Sequence, residues 1–299
     1  MQQVPGGEAF PTEILRYTAF TETPDGGNPA GVVLNAASLS IQDMQAIAAE
    51  VGYSETAFLT PPPLTTGTEQ ADPTRSFTIR YFSPLAEVPF CGHATIATAI
   101  ALGERIGPGE LEFRTRAGTV PVAVTADEGG RLNATLTSVE PHVEKVEESF
   151  VQEVCAALSW RTSELDPALE PRIAYAGARH LILAAATRER LADLEYDFAG
   201  LKDLMLAKDL TTVQLVWRET GTVFHARDPF PVGGVVEDPA TGAAAAAFGA
   251  YTRELGLVSG NAVLTIHQGA DMGRPSTLTV HLRDGDTRIR VSGTGTRIR

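Results

Sequence analysis

The sequence contains little cysteine, and its two cysteines, Cys91 and Cys155, lie far apart and follow no CxxC spacing. A disulfide framework or a zinc site built on cysteine pairs is therefore not expected. No stretch reaches the roughly 18 uninterrupted apolar residues that a membrane helix needs. The leader MQQVPGGEAFP also lacks the basic segment and the apolar run of a signal peptide. These absences favour a cytoplasmic protein in a reducing compartment.

Positive charge is also scarce. Lys and Arg number 24 against 37 Asp and Glu, which gives a formal net charge of −13. Nucleic-acid binding requires clustered basic side chains that neutralise phosphates, so the composition argues against a nucleic-acid partner. It leaves room for an anionic small substrate, because helix N-termini can hold an anion without basic side chains.

The hydrophobic content of 43% and the charged content of 20% are ordinary for a soluble globular protein. A chain of 299 residues predicts two domains of about 150 residues each. We expect residues 1–12 to be a flexible tail, residues 13–143 to form the first half and residues 144–299 the second. The last strand is a candidate to cross back to the first half.

Hydrophobic spacing predicts helices over SIQDMQAIAAEVG (40–52), ATIATAIALGERIG (94–107) and RERLADLEYDFAGLKDLMLAKD (188–209). Ser40 is the expected N-cap of the first helix, and Gly52 lies just past its end. Helical segments are also predicted around SFVQEVCAALSW (149–160) and, after a turn, within EDPATGAAAAAFGAYTRELG (237–256). Alternating patterns predict strands through most of the remaining chain. The polar, proline-rich stretch PPPLTTGTEQADPTR (61–75) is predicted to be a loop.

The chain contains an internal echo at an offset of 150 residues, where EVPFCGHATIATAIALGE (87–104) lies over EDPATGAAAAAFGAYTRE (237–254). Matches between alanines carry little weight. Glutamate, proline and glycine at the same spacing before each helix carry more, and they indicate a two-fold duplication. The matching pairs are Glu87 with Glu237, Pro89 with Pro239, Gly92 with Gly242, Ala94 with Ala244, Ala97 with Ala247 and Glu104 with Glu254.

Each of the two turns places a glycine at the start of an alanine-rich helix. The N–H groups at such a start, together with the helix dipole, attract a carboxylate. Glycine lacks the Cβ that would block a close approach. Two such turns suggest two helix ends that face one cleft between the halves. Tight packing of a helix inside a sheet would account for the small residues as well.

Three residues near these turns could move protons. His93 follows Gly92, and Asp238 precedes Gly242, although a histidine or aspartate at a helix start is often only structural. Glu55 lies in the otherwise apolar stretch AAEVGYSETAFL (48–59). If its side chain points inward, Glu55 is a candidate general acid or base. If it points outward, strand alternation alone explains it.

Five motifs occur together in the sequence: GNPAGVVL (27–34), GYSETAFL (52–59), IRYFSPLAEVPFCGHATIATA (79–99), EDPATGAA (237–244) and RIRVSGTG (288–295). In this order and over this length, they resemble the PhzF family of isomerases, which is related to phenazine biosynthesis. The resemblance extends from about Glu13 to the C-terminus.

The resemblance implies the α+β fold of the diaminopimelate epimerase-like superfamily, with two pseudo-symmetric α/β halves. Each half would wrap a curved, mostly antiparallel sheet around a central helix. The resemblance also implies a homodimer and a biosynthetic isomerase that acts on a small carboxylate-bearing substrate, without metal or organic cofactor, in the cleft between the halves. The matching positions are the acid–base Glu55, the active-site residues His93 and Asp238, and the substrate-lining residues Ser54, Gly92, Gly242 and Ala243.

Ala243 departs from the family pattern, because the phenazine enzyme has a serine at this position. The loss of a hydroxyl donor leaves the identity of the substrate open, and with it any involvement in phenazine synthesis. Fold kinship does not fix a substrate.

Cys91 raises an alternative mechanism, since related epimerases and racemases use one cysteine from each half. The echo places Thr241 opposite Cys91, and a hydroxyl is far too weak an acid to replace a thiol. An epimerase or racemase acting through a Cys91–His93 pair stays as the alternative, because a helix N-terminus stabilises a thiolate. A zinc site on this turn is less favoured, since two ligands leave the coordination incomplete. A non-catalytic homologue that binds small acids or a protein partner is the third possibility.

Overall fold

A computed structural model describes residues 13–62, 72 and 74–299. The predicted tail at 1–12 lies outside the described residues, as does most of the predicted proline-rich loop. The chain divides into two compact units. The first comprises Pro29–Leu136, Thr294–Arg299 and the described residues before Phe20, and the second comprises Phe20–Asn28 and Thr137–Gly293. No helix in the described part of the chain is long and apolar enough to cross a membrane.

The first unit is a mostly antiparallel sheet with two helices. Its elements in chain order are β1 (Ile14–Ala19), β2 (Asn28–Val33), α1 (Ile41–Val51), β3 (Glu55–Thr60), β4 (Ser76–Phe82), β5 (Glu87–Val88), α2 (Gly92–Ile106), β6 (Gly109–Thr115), β7 (Gly118–Ala126) and β8 (Leu132–Thr137). Strands β2 and β3 run parallel, as do β4 and β6, whereas β3–β4, β6–β7 and β7–β8 are antiparallel. Residues 295–297 pair antiparallel with β1.

Helix α1 begins and ends where its sequence predicts. The Ser40 side chain accepts a hydrogen bond from the Asp43 N–H, and the Asp43 carboxylate accepts one from the Ser40 N–H, which forms a capping box. Gly52 ends the helix in the left-handed region at φ 72°. The buried face of α1 packs through Met44 and Ala48 into an apolar cluster that includes Phe58. The predicted cap and end of this helix are confirmed.

Helix α2 is the central helix of the first unit. All its residues from Gly92 to Gly103 are buried, and it packs against β1, β3 and β7. Its buried threonines bond back to the helix, with the Thr95 hydroxyl on the Cys91 carbonyl at 2.6 Å and the Thr98 hydroxyl on the Ala94 carbonyl at 2.7 Å. The helix begins at Gly92, two residues before the predicted start at Ala94.

The second unit repeats this kind of architecture with more helices. Its elements are β9 (His142–Lys145), α3 (Glu148–Ala157), β10 (Arg172–Tyr175), β11 (Arg179–Ala184), α4 (Arg188–Ala192), α5 (Phe198–Ala207), β12 (Thr212–Arg218), β13 (Val223–Pro229), β14 (Glu237–Asp238), α6 (Gly242–Glu254), β15 (Ala262–Gln268), β16 (Ser276–Arg283) and β17 (Asp286–Arg297). Helix α6 is buried along most of its length and packs against β9, β10, β11 and β16.

The predicted helix over 188–209 is two helices. The chain is extended at Asp193, which ends α4, and Asp197 then caps α5 by accepting a hydrogen bond from the Gly200 N–H at 3.0 Å. Aspartate favours such caps over helix interiors, because its carboxylate competes for nearby N–H groups. The continuous helical pattern was therefore wrong about the middle of this segment.

The two units share an order of elements. The succession β3–β4–β5–α2–β6–β7 in the first corresponds to β12–β13–β14–α6–β15–β16 in the second, including the parallel pairs β4–β6 and β13–β15. Each unit also contains a bidentate ion pair between two corresponding strands. Arg80 of β4 pairs with Glu87 of β5, and Arg227 of β13 pairs with Glu237 of β14. The expected α+β class, with a mostly antiparallel sheet and one central helix per half, is confirmed.

Candidate active site

Four of the expected site residues meet in the first unit, at the start of α2. Glu55 is the first residue of β3, and His93 is the second residue of α2. The Glu55 Oε2 atom lies 3.4 Å from the His93 Nε2 atom, and the Ser54 Oγ atom lies 3.3 Å from the same nitrogen. The Sγ atom of Cys91 lies 3.4 Å from His93 Nδ1 and 3.8 Å from Nε2.

This cluster is shielded from solvent. The exposed fractions are 9% for Glu55, 4% for His93 and 8% for Cys91. The Glu55 side chain therefore lies on the interior side of its strand, which settles the open question about its orientation. A buried carboxylate beside an imidazole is able to accept a proton and to exchange hydrogen bonds with its neighbour, which are the properties of a general acid–base pair.

The start of α2 adds backbone donors to the same place. The first helical hydrogen bond runs from the Thr95 N–H to the Cys91 carbonyl at 3.1 Å, and no side chain caps the helix at Cys91. The N–H groups that precede Thr95 in the first turn are those that an α-helix leaves outside its own ladder. Together with the helix dipole, they favour negative charge at this end of α2.

Asp238 lies in the second unit, in a hydrogen-bond network of its own. The Asn28 Nδ2 group donates to Asp238 Oδ1 at 2.7 Å, and the Thr241 hydroxyl donates to Oδ2 at 2.6 Å. Gln268 donates from Nε2 to the Asp238 carbonyl at 2.8 Å and accepts from the Thr241 N–H at 3.1 Å. Both carboxylate oxygens are therefore held, which fixes the orientation of this side chain.

Helix α6 begins immediately after this network. Gly242, its first residue, is buried, and Ala243, its second, is half-buried. The residue preceding the helix, Thr241, makes no cap hydrogen bond to the helix with its side chain, because its hydroxyl is directed to Asp238. The expected site residues Asp238, Gly242 and Ala243 therefore form one continuous segment of the second unit.

A second buried acid stands beside Asp238. Asp228 is its partner in the antiparallel pairing of β13 with β14 and is fully buried. Burial raises the pKa of Asp228 well above its usual range, and the negative charges of Asp238 and Glu237 raise it further. The Thr212 hydroxyl donates to Asp228 Oδ1 at 2.7 Å.

His180 completes this buried chain. Its Nδ1 atom lies 2.8 Å from the Thr212 hydroxyl oxygen. The Thr212 hydroxyl therefore lies within hydrogen-bond distance of both His180 and Asp228. Complete burial lowers the pKa of His180 to about 3, so the ring is neutral near pH 7.

Several residues of these networks were not singled out from the sequence. Asn28 lies in the motif GNPAGVVL, which could have drawn attention to it, whereas Gln268 and Asp228 belong to strands with no distinguishing pattern. Glu55, Cys91 and His93 also form a group whose potential metal-ligand atoms all lie within 4.8 Å of one another. Sequence reasoning counted only two ligands there, because Glu55 comes from a different element.

Comparison with known proteins gives the family. Residues 17–299 match the family described as phenazine biosynthesis-like protein, PhzC-PhzF. The chain is 31% identical to the trans-2,3-dihydro-3-hydroxyanthranilate isomerase of Pseudomonas aeruginosa over 281 residues, which cover 93% of this chain and 94% of that enzyme. This agreement confirms the resemblance read from the five motifs and the expectation of an isomerase.

Solved structures agree in fold. The crystal structure of a PhzF-family phenazine biosynthesis protein from Bacillus anthracis matches with a TM-score of 0.83 at 25% identity, covering 96% of each chain. A probable proline racemase from Agrobacterium radiobacter matches with a TM-score of 0.63 at 13% identity, covering 95% of this chain and 90% of that one, which shows a shared fold. The chain belongs to the phenazine biosynthesis-like, PhzC-PhzF family and is an isomerase.

Proposed function

We propose that this isomerase moves a proton within a small carboxylate-bearing substrate, without metal or organic cofactor, and that Glu55 takes and returns the proton. The observation that carries the proposal is the buried contact of 3.4 Å between Glu55 Oε2 and His93 Nε2 at the start of α2. A carboxylate that is screened from water, oriented by a neighbour and adjacent to backbone donors has what proton abstraction from carbon requires.

The proposed reaction uses only the side chains and backbone N–H groups of the site. Glu55 as a carboxylate removes a proton from one carbon of the substrate and becomes a carboxylic acid. The electron pair of the broken C–H bond forms a new double bond to the neighbouring carbon, and the π pair of the substrate's existing double bond moves to a second carbon. The acid then returns its proton to that second carbon. Charge that develops on the substrate is stabilised by the N–H groups of the first turn of α2.

Two further groups have supporting roles in this proposal. His93 keeps the Glu55 carboxylate in place and relays protons, with Ser54 at 3.3 Å from its Nε2 atom. Asp238 is proposed to orient the substrate, and its hydrogen bonds with Asn28 and Thr241 hold the carboxylate in one orientation. Gly92, Gly242 and Ala243 are proposed to line the bound substrate.

The first probe of the substrate class follows from the relatives. The Pseudomonas aeruginosa enzyme is named for its action on trans-2,3-dihydro-3-hydroxyanthranilate, which carries a carboxylate. We propose this compound as the substrate to assay first, and close carboxylic analogues after it. From its family resemblance, we also propose that the protein is a homodimer, which light scattering of the purified chain can check. We further propose a cytoplasmic location, which cell fractionation can check.

Glu55→Gln is the decisive variant, because glutamine keeps the shape of the side chain and cannot take a proton. Turnover should fall by at least about a hundredfold, the usual contribution of a positioned acid–base group. Glu50→Gln is the matched control, since Glu50 is exposed on α1 of the same unit and should leave turnover unchanged. Assays in D₂O add a second readout, the deuterium content of the product carbon. Because deuterium reaches this carbon only through the acid–base group, Glu55→Gln should incorporate none. Full turnover by Glu55→Gln would disprove the assignment.

A thiol-dependent epimerase or racemase is the second candidate, because the Cys91 Sγ atom lies 3.4 Å from His93 Nδ1. Cys91→Ala distinguishes the two mechanisms. If Glu55 carries the proton, the loss of turnover in Cys91→Ala is far smaller than in Glu55→Gln. If Cys91 carries it, the order of the two losses is reversed. The Glu55 mechanism also predicts that iodoacetamide acts only by blocking the site, so Cys91→Ala should become insensitive to it while retaining turnover. A homologue that only binds small acids would show ligand binding and no turnover in any variant.

A further inference from the structure

The first unit places three different metal-binding side chains around one small space. The thiol of Cys91, the imidazole of His93 and the carboxylate of Glu55 each offer a ligand atom, and these atoms lie within 4.8 Å of one another. All three residues are buried. Within the described part of the chain, Glu55, Cys91 and His93 are a set of three potential metal ligands that lie close enough together to hold one ion.

The spacing of these atoms is close to that of a tetrahedral zinc centre. Bonds of about 2.3 Å to sulfur and about 2.0 Å to nitrogen or oxygen, at tetrahedral angles, separate the ligand atoms by about 3.3–3.6 Å. The His93 Nε2 atom lies 3.4 Å from Glu55 Oε2 and 3.8 Å from Cys91 Sγ. These two distances are within a few tenths of an ångström of that spacing. The ligand atoms of Glu55 and Cys91 lie within 4.8 Å of each other, so side-chain rotations that move them by up to about 1 Å would bring all three atoms to zinc-binding distances.

We propose that Glu55, Cys91 and His93 form a reversible Zn²⁺ site, and that Zn²⁺ bound there inhibits the enzyme. A thiolate with an imidazole and a carboxylate prefers Zn²⁺ over Mg²⁺ or Ca²⁺, which favour oxygen ligands. Three protein ligands leave a fourth position for water or for the hydroxyl of Ser54, whose Oγ atom is 3.3 Å from His93 Nε2.

Inhibition rests on the proposed function, because a Glu55 carboxylate bound to zinc is unable to take a proton from substrate. Binding does not rest on it, since it depends only on the three ligands. The site gives Cys91 a chemical role that differs from that of a proton carrier in an epimerase or racemase.

Direct binding is measured on the purified full chain without substrate. Zn²⁺ titrated against a chromophoric chelator should show one ion per chain. Co²⁺ in place of Zn²⁺ should give the near-ultraviolet charge-transfer band of a cobalt thiolate. Loss of a partner behind a metal ligand weakens binding about 10–100-fold, so loss of the ligand itself in Cys91→Ser should weaken it at least about a hundredfold and abolish the cobalt band.

Two controls separate this site from others. Cys155→Ser removes the other cysteine, which is buried in the second unit, and should leave the cobalt band intact. His225→Gln removes one member of the pair His225–His267, whose rings lie 5.3 Å apart, and should leave the stoichiometry unchanged. His93→Gln is a second ligand variant in case Cys91→Ser does not fold, and it should also lose the site.

The outcomes separate the two proposals. A cobalt thiolate band that disappears in Cys91→Ser, together with Zn²⁺ inhibition that a chelator reverses, supports the site. Absence of the band from wild-type protein, or equal affinity of wild type and Cys91→Ser, overturns it. Zinc binding without inhibition of a turnover that depends on Glu55 would retain the site and reject its inhibitory effect. Full turnover by Glu55→Gln would reject the proposed function and leave the binding result standing.

Discussion

Asp228 lies directly opposite Asp238 in the pairing of β13 with β14, so that the second unit holds two acids side by side in its interior. Asp238 has hydrogen-bond donors from Asn28 and Thr241 at its two carboxylate oxygens. Asp228 is completely buried and accepts a hydrogen bond from Thr212. Two neighbouring carboxylates are costly to ionise together, and burial raises the pKa of the deeper one, Asp228, well above its usual range.

This relationship predicts how Asp228→Asn changes stability with pH. Because the pKa of Asp228 is raised in the folded protein, its stabilising contribution is complete below the unfolded value near 3.8. The contribution is lost as the pH rises from there towards the folded pKa. Asparagine stays neutral and can still accept from Thr212. In urea titrations from pH 4 to pH 8, the free energy of unfolding of Asp228→Asn should therefore increase relative to that of wild type by up to about 1.4 kcal/mol per pH unit.

Asp203→Asn is the matched control for this measurement, because Asp203 is exposed on α5 of the same unit. The free energy of unfolding of Asp203→Asn should differ from that of wild type by the same amount across the measured pH range. A constant difference between Asp228→Asn and wild type across the range would contradict burial of an ionisable proton at Asp228.

His180 should affect stability in the opposite direction. Burial lowers its pKa from the usual 6.5 to about 3, so the folded protein disfavours protonation of the ring. The stability contributed at neutral pH is lost as the pH falls below 6.5, at up to about 1.4 kcal/mol per pH unit, until the folded pKa is reached. His180→Asn retains a donor towards Thr212 and cannot titrate. The stability of wild type relative to this variant should therefore fall on acidification.

The control for His180 is Gly221→Ala, which adds a Cβ in open space and changes no titratable group. The free energy of unfolding of this control should change with falling pH as that of wild type does. If His180→Asn also followed wild type from pH 6.5 to pH 4, the histidine would have to be hydrated in the folded protein.

Gly249 is expected to be essential for packing around α6. A Cβ placed there would lie 2.8 Å from Ile289 Cγ2 and 2.8 Å from Val280 Cγ1. Overpacking of this kind costs about 1–3 kcal/mol, and the better helix propensity of alanine offsets about 1 kcal/mol of it. Gly249→Ala should therefore lower the free energy of unfolding by up to about 2 kcal/mol in urea titrations. Gly221→Ala, with open space around its Cβ, should change it little. A stabilised Gly249→Ala would mean that β16 and β17 shift easily.

The sequence allowed the central helices and the contact of Glu55 with His93 to be anticipated for different reasons. The helices follow from local composition, because runs of small residues after glycine indicate a helix enclosed by a sheet. The contact follows from the family resemblance, since Glu55 and His93 are separated by 37 residues and no spacing rule connects β3 with α2. The fold class was predictable on both grounds.

The parts that were missed depend on register and loop length. The echo at offset 150 aligns Glu87 with Glu237, but it does not align the arginines that pair with them. The reason is that the loop between β13 and β14 is longer than the loop between β4 and β5. Arg80 and Arg227 therefore correspond at an offset of 147 residues. The pairing of Asp228 with Asp238 likewise depends on that loop, and a helical periodicity could not reveal the break between α4 and α5.

Ala243 is the position at which substrate choice can be tested. It is the half-buried second residue of α6, where the resemblance places a serine in the phenazine enzyme. One neutral hydrogen bond contributes about 0.5–1.5 kcal/mol, which corresponds to at most about tenfold in kcat/KM. The natural substrate of this chain, under this hypothesis, lacks the group that a serine would bind. Ala243→Ser should then raise kcat/KM for trans-2,3-dihydro-3-hydroxyanthranilate, which would gain one hydrogen bond, by at most about tenfold. Ala199→Ser, at the exposed second residue of α5, is the matched control and should have no effect. If wild type already turns this compound over as well as Ala243→Ser does, the hydroxyl is not what separates this chain from the phenazine enzyme.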